Sequence, residues 1–378
     1  MKALLFANTD WYLYNFRRDL ALGLLAHGDD VVLLSPPGEY AARLKQMNFR
    51  WLEFPLERRG MNPMAELGTL ARLVRLYRRE RPDLVHHFTI KCVLYGTLAA
   101  RLAGVRAVVN SITGLGYVFL PGGLWKRILR FFVCLWYRLI LHGTQVIFEN
   151  DDDRQTFLRY GFIHPEDGHL IPGVGVDTIR FRPSPLPEGI PVVLLAARLL
   201  WDKGVGEFVE AARHLCSDGV QARFALAGRT DPGNPASISD VQIKTWRDEG
   251  VIEWWGWFED MSLALAKITI FCLPSYYREG LPTVLMEASA CGRPVITTDW
   301  SGCRDAIRNG VSGLLVRERD VTALSDALRK LIGSPALCRE MGSAGRNLVE
   351  EMFSSEKIIS RISAVYAEAL AKGMHDDR

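Results

Sequence analysis

Residues 268–298 read ITIFCLPSYYREGLPTVLMEASACGRPVITT. The apolar runs Ile268–Leu273 and Pro294–Thr298 predict two buried strands. Pro282 suits the first turn of a helix between them, because the N–H that proline lacks would have no partner there. A strand, a helix and a second strand in this order predict a parallel sheet covered by helices.

The same alternation of short apolar runs and amphipathic runs extends along the whole chain. Further strands are predicted at Ala3–Ala7, Asp30–Ser35, Leu84–Phe88, Ala107–Ile112, Gln145–Phe148, Val192–Ala197, Ala222–Ala227 and Gly313–Val316. Helices are predicted at Arg17–Ala26, Met64–Arg79, Glu207–Leu215 and Val321–Leu331. This order predicts an α/β protein with two doubly wound parallel sheets.

A chain of 378 residues is longer than one core usually serves, which favours two domains. Residues 172–191 hold five prolines and three glycines, a composition typical of a linker. The sequence therefore predicts one domain over residues 1–180 and a second over 181–352. Residues 353–378 hold a helix that opens with Ser-Ser-Glu-Lys and is expected to cross back to the first domain.

Composition excludes several classes of protein. The seven cysteines are scattered and never spaced as CxxC, which argues against a zinc cluster and favours a reducing cytosol. The apolar run at the start of the chain is too short for a signal peptide. The net charge is only +3 and no nucleic-acid motif appears, so nucleic acid is not an expected partner.

Positive charge is concentrated in one part of the chain. Residues 71–140 hold 12 basic and 2 acidic side chains, and residues 124–141 read LWKRILRFFVCLWYRLIL. No run of 18 uncharged apolar residues exists, so a membrane-spanning helix is not predicted. A basic, aromatic, amphipathic helix can lie on an anionic membrane surface. The alternative is that the helix packs on its own sheet and its arginines are simply solvated.

Two glutamates flank the predicted start of the helix that contains Pro282. Glu279 and Gly280 lie in the preceding loop, and Glu287 lies about a turn and a half inside the helix. Free N–H groups and the helix dipole make such a start attractive to a diphosphate. The two carboxylates could then hold different hydroxyl groups of one elongated ligand.

Two cations follow an earlier strand. Arg198 lies just beyond the predicted strand Val192–Ala197, and Lys203 follows five residues later. Ligands of open α/β sheets bind outside the carboxyl ends of the strands, where these cations are well placed for phosphate.

Together these motifs resemble the family 4 retaining glycosyltransferases. The resemblance rests on Arg198 with Lys203 and on Glu279-Gly-Leu-Pro followed by Glu287, and it extends over essentially the whole chain through Ile171-Pro-Gly-Val-Gly-Val-Asp177. It implies the GT-B fold, in which two Rossmann-like domains face a central cleft. The second domain, 181–352, would bind the nucleotide sugar.

The resemblance also implies a role for each donor-site residue. Arg198 and Lys203 would neutralise the diphosphate and assist the leaving group, and Glu279 would contact the donor sugar. Glu287 would bind the ribose hydroxyls. The backbone of Gly280, Leu281, Pro282 and Thr283 would bind the sugar and the diphosphate. The implied enzyme is a hexosyltransferase that needs no metal and no cofactor, since the UDP-sugar is a co-substrate.

A narrower resemblance concerns the first domain. Val85-His-His-Phe-Thr-Ile-Lys91 and Asn110-Ser-Ile-Thr-Gly-Leu-Gly-Tyr-Val-Phe119 resemble bacterial enzymes that extend undecaprenyl-diphosphate-linked glycans. Under this resemblance, the acceptor side would include Lys91, Thr113, Gly114 and Gly116. The basic segment 71–141 would meet the inner face of the cell membrane, and the protein would be cytoplasmic and peripherally associated.

Two departures from the family limit what carries over. Many members have a histidine where this chain has Thr113-Gly114, and the loop Ala7–Tyr12 lacks the glycines common there. We therefore assign no catalytic base. His86 and His87 are expected to be structural.

Other motifs are not expected to bind ligands. Asp151-Asp-Asp153 mimics a metal-binding DxD, but it follows a strand and opens a helix predicted at Arg154–Tyr160, so N-capping explains it better. Neither Gly114-x-Gly116 nor Gly173-x-Gly175 continues into a dinucleotide fingerprint.

The leading hypothesis is transfer from a UDP-sugar, an N-acetylhexosamine or related hexose, to a lipid-linked saccharide in bacterial surface polysaccharide assembly. Three alternatives remain open: a UDP-sugar 2-epimerase of the same fold, a non-catalytic sugar-nucleotide binding protein, and a nicotinamide oxidoreductase. The motif order argues against the epimerase, and the full set of donor residues argues against the binding protein.

Overall fold

The chain folds into two compact units. The computed structural model describes residues 1–57, 63–114 and 123–375. Unit 1 comprises Met1–Val174 and Ser355–Arg378, and unit 2 comprises Gly175–Ser354. The sequence placed the two boundaries after residues 180 and 352.

Unit 1 is built on a sheet of seven parallel strands. They are β1 (Lys2–Phe6), β2 (Asp30–Ser35), β3 (Arg50–Glu53), β4 (Leu84–Phe88), β5 (Ala107–Ile112), β6 (Gln145–Phe148) and β7 (Gly168–Leu170). Their order in the sheet is β3-β2-β1-β4-β5-β6-β7. The chain runs outward from β1 to one edge and then from β4 to the other, which is the doubly wound arrangement.

Helices connect these strands. They are α1 (Asp10–Tyr12), α2 (Arg18–Ala26), α3 (Ala41–Gln46), α4 (Pro63–Glu80), α5 (Ile90–Ala103), α6 (Leu124–Ile140) and α7 (Asp151–Arg159), and a π-helical turn, Leu13–Arg17, joins α1 to α2. No helix among the described residues is long and apolar enough to cross a lipid bilayer.

Unit 2 is built on a sheet of six parallel strands. They are β8 (Val192–Ala196), β9 (Arg223–Ala227), β10 (Glu253–Gly256), β11 (Ile270–Leu273), β12 (Val295–Thr298) and β13 (Gly313–Val316), in the order β10-β9-β8-β11-β12-β13. Its helices are α8 (Val205–Ser217), α9 (Asp240–Asp248), α10 (Met261–Leu265), α11 (Thr283–Ala290), α12 (Val321–Ile332) and α13 (Pro335–Leu348).

The two doubly wound parallel sheets confirm the predicted fold class. The sequence missed three strands, β3, β7 and β10, and each lies at an edge of its sheet. An edge strand has a neighbour on one side only and is less completely covered. Its residues therefore need not form the continuous apolar run by which the inner strands were recognised.

The last helix, α14 (Ser355–His375), belongs to unit 1 and packs on its central strands. Its Tyr366 is buried, and the hydroxyl forms a 2.7 Å hydrogen bond with Nδ1 of His86 on β4. Nε2 of His86 bonds to Ser111 on β5, also at 2.7 Å. Burial lowers the pKa of His86 well below its usual value.

His87 has a similar environment on the opposite face of β4. It is buried, and its ring nitrogens bond to the hydroxyl of Tyr77 at 3.0 Å and to Oδ1 of Asn110 at 2.9 Å. Burial lowers its pKa to about 4. Both histidines are hydrogen-bonded core residues, as predicted.

The interpretation of Asp151-Asp-Asp153 needs a correction. The helix begins at Asp151, three residues earlier than predicted, and the capping residue is Asn150. The side chain of Asn150 accepts a 2.8 Å hydrogen bond from the backbone N–H of Asp153. The three aspartates instead occupy the first turn, where negative charge is favoured by the helix dipole.

We expect Tyr366→Phe to lower the free energy of unfolding by about 1–3 kcal/mol, because it leaves Nδ1 of buried His86 without its partner. Urea denaturation measures the change. Tyr160→Phe is the control, since Tyr160 is exposed, and it should have little effect. Equal stability of Tyr366→Phe and wild type would contradict the role given to this hydrogen bond.

Candidate functional site

The carboxyl ends of two adjacent strands form the site in unit 2. β8 and β11 are parallel neighbours, with Val193 opposite Ile270 and Leu194 opposite Phe271. Because parallel strands end at the same edge of a sheet, the loops that follow β8 and β11 lie side by side. The first loop carries Arg198 and Lys203, and the second carries Glu279.

Lys203 and Glu279 form an ion pair across these loops. Lys203 ends a 3₁₀ turn and is buried, so its ammonium group is fixed in position. The next residue, Gly204, has φ +73°, and a Cβ there would lie 2.1 Å from the carbonyl oxygen of Pro274. Only glycine permits this approach, which brings the two loops into contact.

Arg198 lies beside the same pair and is more exposed. Its Nη1 is 3.0 Å from a carboxylate oxygen of Asp231 in the loop after β9. Burial acts to lower the pKa of the guanidinium, but Tyr277, Glu279 and Asp231 together raise it. Arg198 therefore experiences the charge of the carboxylate that pairs with Lys203.

The loop that carries Glu279 is held by its own backbone and by its neighbours. The N–H of Tyr276 donates to the carbonyl of Asp202 at 3.0 Å, and the N–H of Glu279 donates to the carbonyl of Tyr277, also at 3.0 Å. Gly302 has φ +82°, and a Cβ there would lie 2.1 Å from the carbonyl oxygen of Gly280. The loop is thus confined from both sides.

Helix α11 begins directly after this loop. Pro282 occupies the N-cap position and Thr283 is the first helical residue, so the helix starts one residue later than predicted. Gly280 and Leu281 are buried beneath the start. In the described part of the chain, no side chain caps α11. Its first N–H groups and its dipole therefore favour an anion.

Glu287 lies in the second turn of α11, beside an ion pair. Arg180 Nη2 is 2.9 Å from Asp260 Oδ1. Part of the surface of Glu287 remains open to solvent, but its carboxylate is largely desolvated. Desolvation raises its pKa to about 7, Arg180 opposes the rise, and Asp260 adds to it.

This arrangement suits a phosphorylated, hydroxyl-rich ligand. Two cations and a helix start can bind a diphosphate. Two carboxylates on either side of that start can accept hydrogen bonds from hydroxyl groups. Among the described residues, no cluster of three or more His, Cys, Asp or Glu side chains could hold a metal ion.

The candidate acceptor residues lie in unit 1. Thr113 and Gly114 follow β5 and are partly exposed, and Gly114 has φ +120°. Lys91, near the start of α5, is 2.6 Å from Glu66 and donates to the carbonyl of Glu57 at 2.6 Å. Gly116 lies outside the described residues.

The sequence did not assign a role to Tyr277, Asp231 or Arg180. Tyr277 lies inside the motif between Ser275 and Glu279, but the spacing of the motif says nothing about where its ring points. Asp231 and Arg180 reach the site from separate loops. Such contacts depend on tertiary structure and leave no local signal in the sequence.

Comparisons with known proteins agree on the family. Residues 2–150 match the family model described as glycosyl transferase 4-like, and residues 190–334 match the model described as glycosyl transferases group 1. One similar protein is the N,N'-diacetylbacillosaminyl-diphospho-undecaprenol alpha-1,3-N-acetylgalactosaminyltransferase of Campylobacter jejuni, at 28% identity over 85% of this chain and 86% of the relative.

Another relative and two solved structures are also similar. The UDP-Gal:alpha-D-GlcNAc-diphosphoundecaprenol alpha-1,3-galactosyltransferase of Escherichia coli is 25% identical over 82% of this chain and 81% of the relative. HepE of Anabaena with UDP and glucose has a TM-score of 0.80 at 19% identity, over 97% and 99% of the two chains. A glycosyltransferase of Rickettsia africae has a TM-score of 0.79 at 18% identity, over 98% of both chains.

The raised pKa of Glu287 predicts a pH-dependent stability. The folded state binds a proton at this carboxyl more tightly than the unfolded chain does, where its pKa is about 4.3. The stability that the protonated carboxyl of Glu287 contributes is therefore lost as the pH rises to about 7. We expect the stability of Glu287→Gln relative to wild type to increase between pH 5 and pH 8, as measured by urea denaturation.

Glu253→Gln is the matched control. The hydrogen bond from Arg223 lowers the pKa of Glu253, so this group titrates below the tested range. The difference in stability between Glu253→Gln and wild type should therefore stay constant between pH 5 and pH 8. A constant difference for Glu287→Gln as well would contradict the raised pKa.

Proposed function

Because the chain belongs to the glycosyltransferases that these two family models describe, we propose that it moves a hexosyl unit from a UDP-sugar to a lipid-linked saccharide, with retention of configuration. The observation that carries the proposal is the ion pair of Lys203 and Glu279, which lies beside Arg198 and just before the start of α11. It joins a diphosphate-binding cation to a carboxylate that can hold a sugar hydroxyl.

Each donor-site residue then has a chemical role. Arg198 and Lys203 bind the diphosphate, and the backbone of residues 280–283 binds the diphosphate and sugar at the start of the helix. Glu279 accepts a hydrogen bond from a sugar hydroxyl. Glu287 binds the ribose hydroxyls, for which its ionised form is the better acceptor.

The reaction needs help mainly at the leaving group. The bond between the anomeric carbon and the diphosphate oxygen breaks, and its electron pair leaves with UDP. The two cations stabilise the negative charge that develops on the β-phosphate. The acceptor oxygen attacks from the same face, and its proton passes to the departing phosphate. This route requires no separate base and no metal ion.

The relatives indicate the class of donor and acceptor. The names of the Campylobacter and Escherichia enzymes specify N-acetylgalactosaminyl and galactosyl transfer to undecaprenyl-diphosphate-linked sugars. We infer a lipid-linked acceptor of this class and a hexose or N-acetylhexosamine donor, in bacterial surface polysaccharide assembly. The acceptor would contact Thr113, Gly114, Gly116 and Lys91 in unit 1.

A lipid-linked acceptor requires access to a membrane, and α6 offers a suitable surface. Tyr137 and Ile140 on one side of α6 are buried, whereas Phe131 is 65% exposed, Leu139 62% and Phe132 54%. Helical spacing places exposed Arg127 and Arg138 at the edge of this apolar face. Exposed aromatic and aliphatic side chains beside arginines favour an anionic bilayer surface.

We therefore propose that the protein is cytoplasmic and binds the inner face of the cell membrane through the basic segment 71–141. Transfer is favoured over 2-epimerisation because both family models and the reported relatives are transferases. A non-catalytic protein would bind UDP and turn over no acceptor.

The test of the donor site is transfer from radiolabelled UDP-sugars to undecaprenyl-diphosphate-linked saccharides. The panel includes UDP-N-acetylgalactosamine, UDP-galactose, UDP-N-acetylglucosamine and UDP-glucose. We expect Arg198→Ala and Lys203→Ala to lower kcat about 10²–10³-fold, because each removes a cation from the leaving group. Glu279→Ala should abolish measurable transfer, and chelation of divalent metals should change nothing.

Arg213→Ala is the matched control, because Arg213 lies on the surface of α8 in the same unit and pairs there with Glu210 and Glu249. It should retain full activity. Full activity in both Glu279→Ala and Arg198→Ala would refute the proposed donor site. Release of UDP without labelled lipid would favour the epimerase.

The test of the membrane surface is cosedimentation with vesicles of phosphatidylcholine, with and without phosphatidylglycerol. Phe131→Glu and Leu139→Glu should each lower binding to the anionic vesicles about tenfold, because each places a charge where an apolar side chain would be buried. Val241→Glu is the control, since Val241 lies on α9 in unit 2 and is 75% exposed, more than either residue of α6. Equal losses in all three variants would contradict a specific role of α6.

A further inference from the structure

One aromatic ring in unit 2 lies close to both cations of the donor site. The ring centroid of Tyr277 is 5.5 Å from the guanidinium carbon of Arg198 and 5.3 Å from Nζ of Lys203. Both distances lie within the range of a cation–π interaction. Arg198 and Lys203 come from the loop after β8, whereas Tyr277 comes from the loop after β11.

The backbone of Tyr277 is fixed independently of its side chain. Its N–H donates to the hydroxyl of Ser275 at 3.3 Å, and its carbonyl accepts from the N–H of Glu279 at 3.0 Å. The hydroxyl of Ser275 also donates to the carbonyl of Asp202 at 3.4 Å. Since these contacts do not involve the ring, its replacement should leave the course of the loop intact.

Besides the ring, Arg198 has a hydrogen bond to the hydroxyl of Tyr277 itself, and each cation pairs with a carboxylate. Lys203 is held by Glu279 and Arg198 by Asp231, and these carboxylates lie on different loops. Two like charges at one site also repel each other. A ring whose π-system attracts both cations opposes that repulsion and keeps both cations next to the same ring.

We propose that Tyr277 is a positioning residue for the diphosphate. Its ring holds the guanidinium of Arg198 and the ammonium of Lys203 side by side, so that both can contact the phosphate adjacent to the sugar. The proposal deepens the donor site described above and rests on the proposed function of that site. The ring itself need not touch the donor, and its effect is exerted through the two cations.

The test compares the affinities of UDP and UMP, measured by calorimetry on the full chain. The ratio of the two dissociation constants reports the contribution of the second phosphate and is insensitive to a uniform loss of binding. Tyr277→Leu removes the π-face and should weaken UDP binding about tenfold while UMP binding stays nearly unchanged. Tyr277→Phe keeps the ring but removes the hydroxyl that also hydrogen-bonds to Arg198, so it should recover part of the loss seen in Tyr277→Leu.

Tyr276 provides the matched control. It is the adjacent tyrosine, and its ring lies 4.6 Å from the guanidinium of a different residue, Arg319. Tyr276→Leu should leave the ratio of UDP to UMP affinity as in wild type. If Tyr277→Leu weakens UDP and UMP equally, or if Tyr276→Leu changes the ratio as much, Tyr277 has no positioning role.

The outcomes separate this inference from the proposed function. A wild-type ratio in Tyr277→Leu, with tight UDP binding by wild type, overturns the role of Tyr277 and leaves the donor site standing. A wild-type protein that binds neither UDP nor UMP overturns both. Loss of UDP selectivity in Tyr277→Leu and its partial recovery in Tyr277→Phe support the inference.

Discussion

The parallel pairing of β8 with β11 is the constraint on which the proposed donor site depends. It places the loops after both strands at one edge of the sheet, although about 75 residues of chain separate Lys203 from Glu279. The close approach of Gly204 to Pro274 then sets the distance between the loops. A side chain at Gly204 would push the two loops apart and break the ion pair. The ion pair therefore depends on the backbone geometry at Gly204.

The strands that a sequence reveals are those that it buries on both faces. β1, β4 and β5 at the centre of the first sheet and β8 and β11 at the centre of the second are almost wholly buried and were predicted nearly to the residue. The strands β3, β7 and β10 are short, lie at sheet edges and include charged or polar residues, and they were missed. Periodicity records burial, and edge strands are incompletely buried.

The candidate site divides in the same way between local and tertiary information. The loop that contains Glu279 and the helix that follows it could be predicted, because glycine, proline and the apolar run determine the backbone structure of the few residues around them. The partners could not be predicted. Asp231 reaches Arg198 from the loop after β9, and Arg180 reaches Asp260 over 80 residues. The same limit applies to Asn150, whose capping role becomes visible only once the start of α7 is known.

The two glutamates, eight residues apart, differ more in environment than their shared motif suggests. Glu279 lies in the loop before the helix, and its ion pair with the ammonium of Lys203 fixes the position of its carboxylate. Glu287 lies inside the helix, where desolvation raises its pKa to about 7 and the charges of Arg180 and Asp260 act on it in opposite directions. The fold has removed water from the carboxyl of Glu287. A hydrogen bond donated by a ligand hydroxyl would replace that lost solvation. The motif therefore combines a carboxylate stabilised by the protein with one that a bound ligand would stabilise, and this difference accords with the proposed contacts of Glu279 with the sugar and of Glu287 with the ribose.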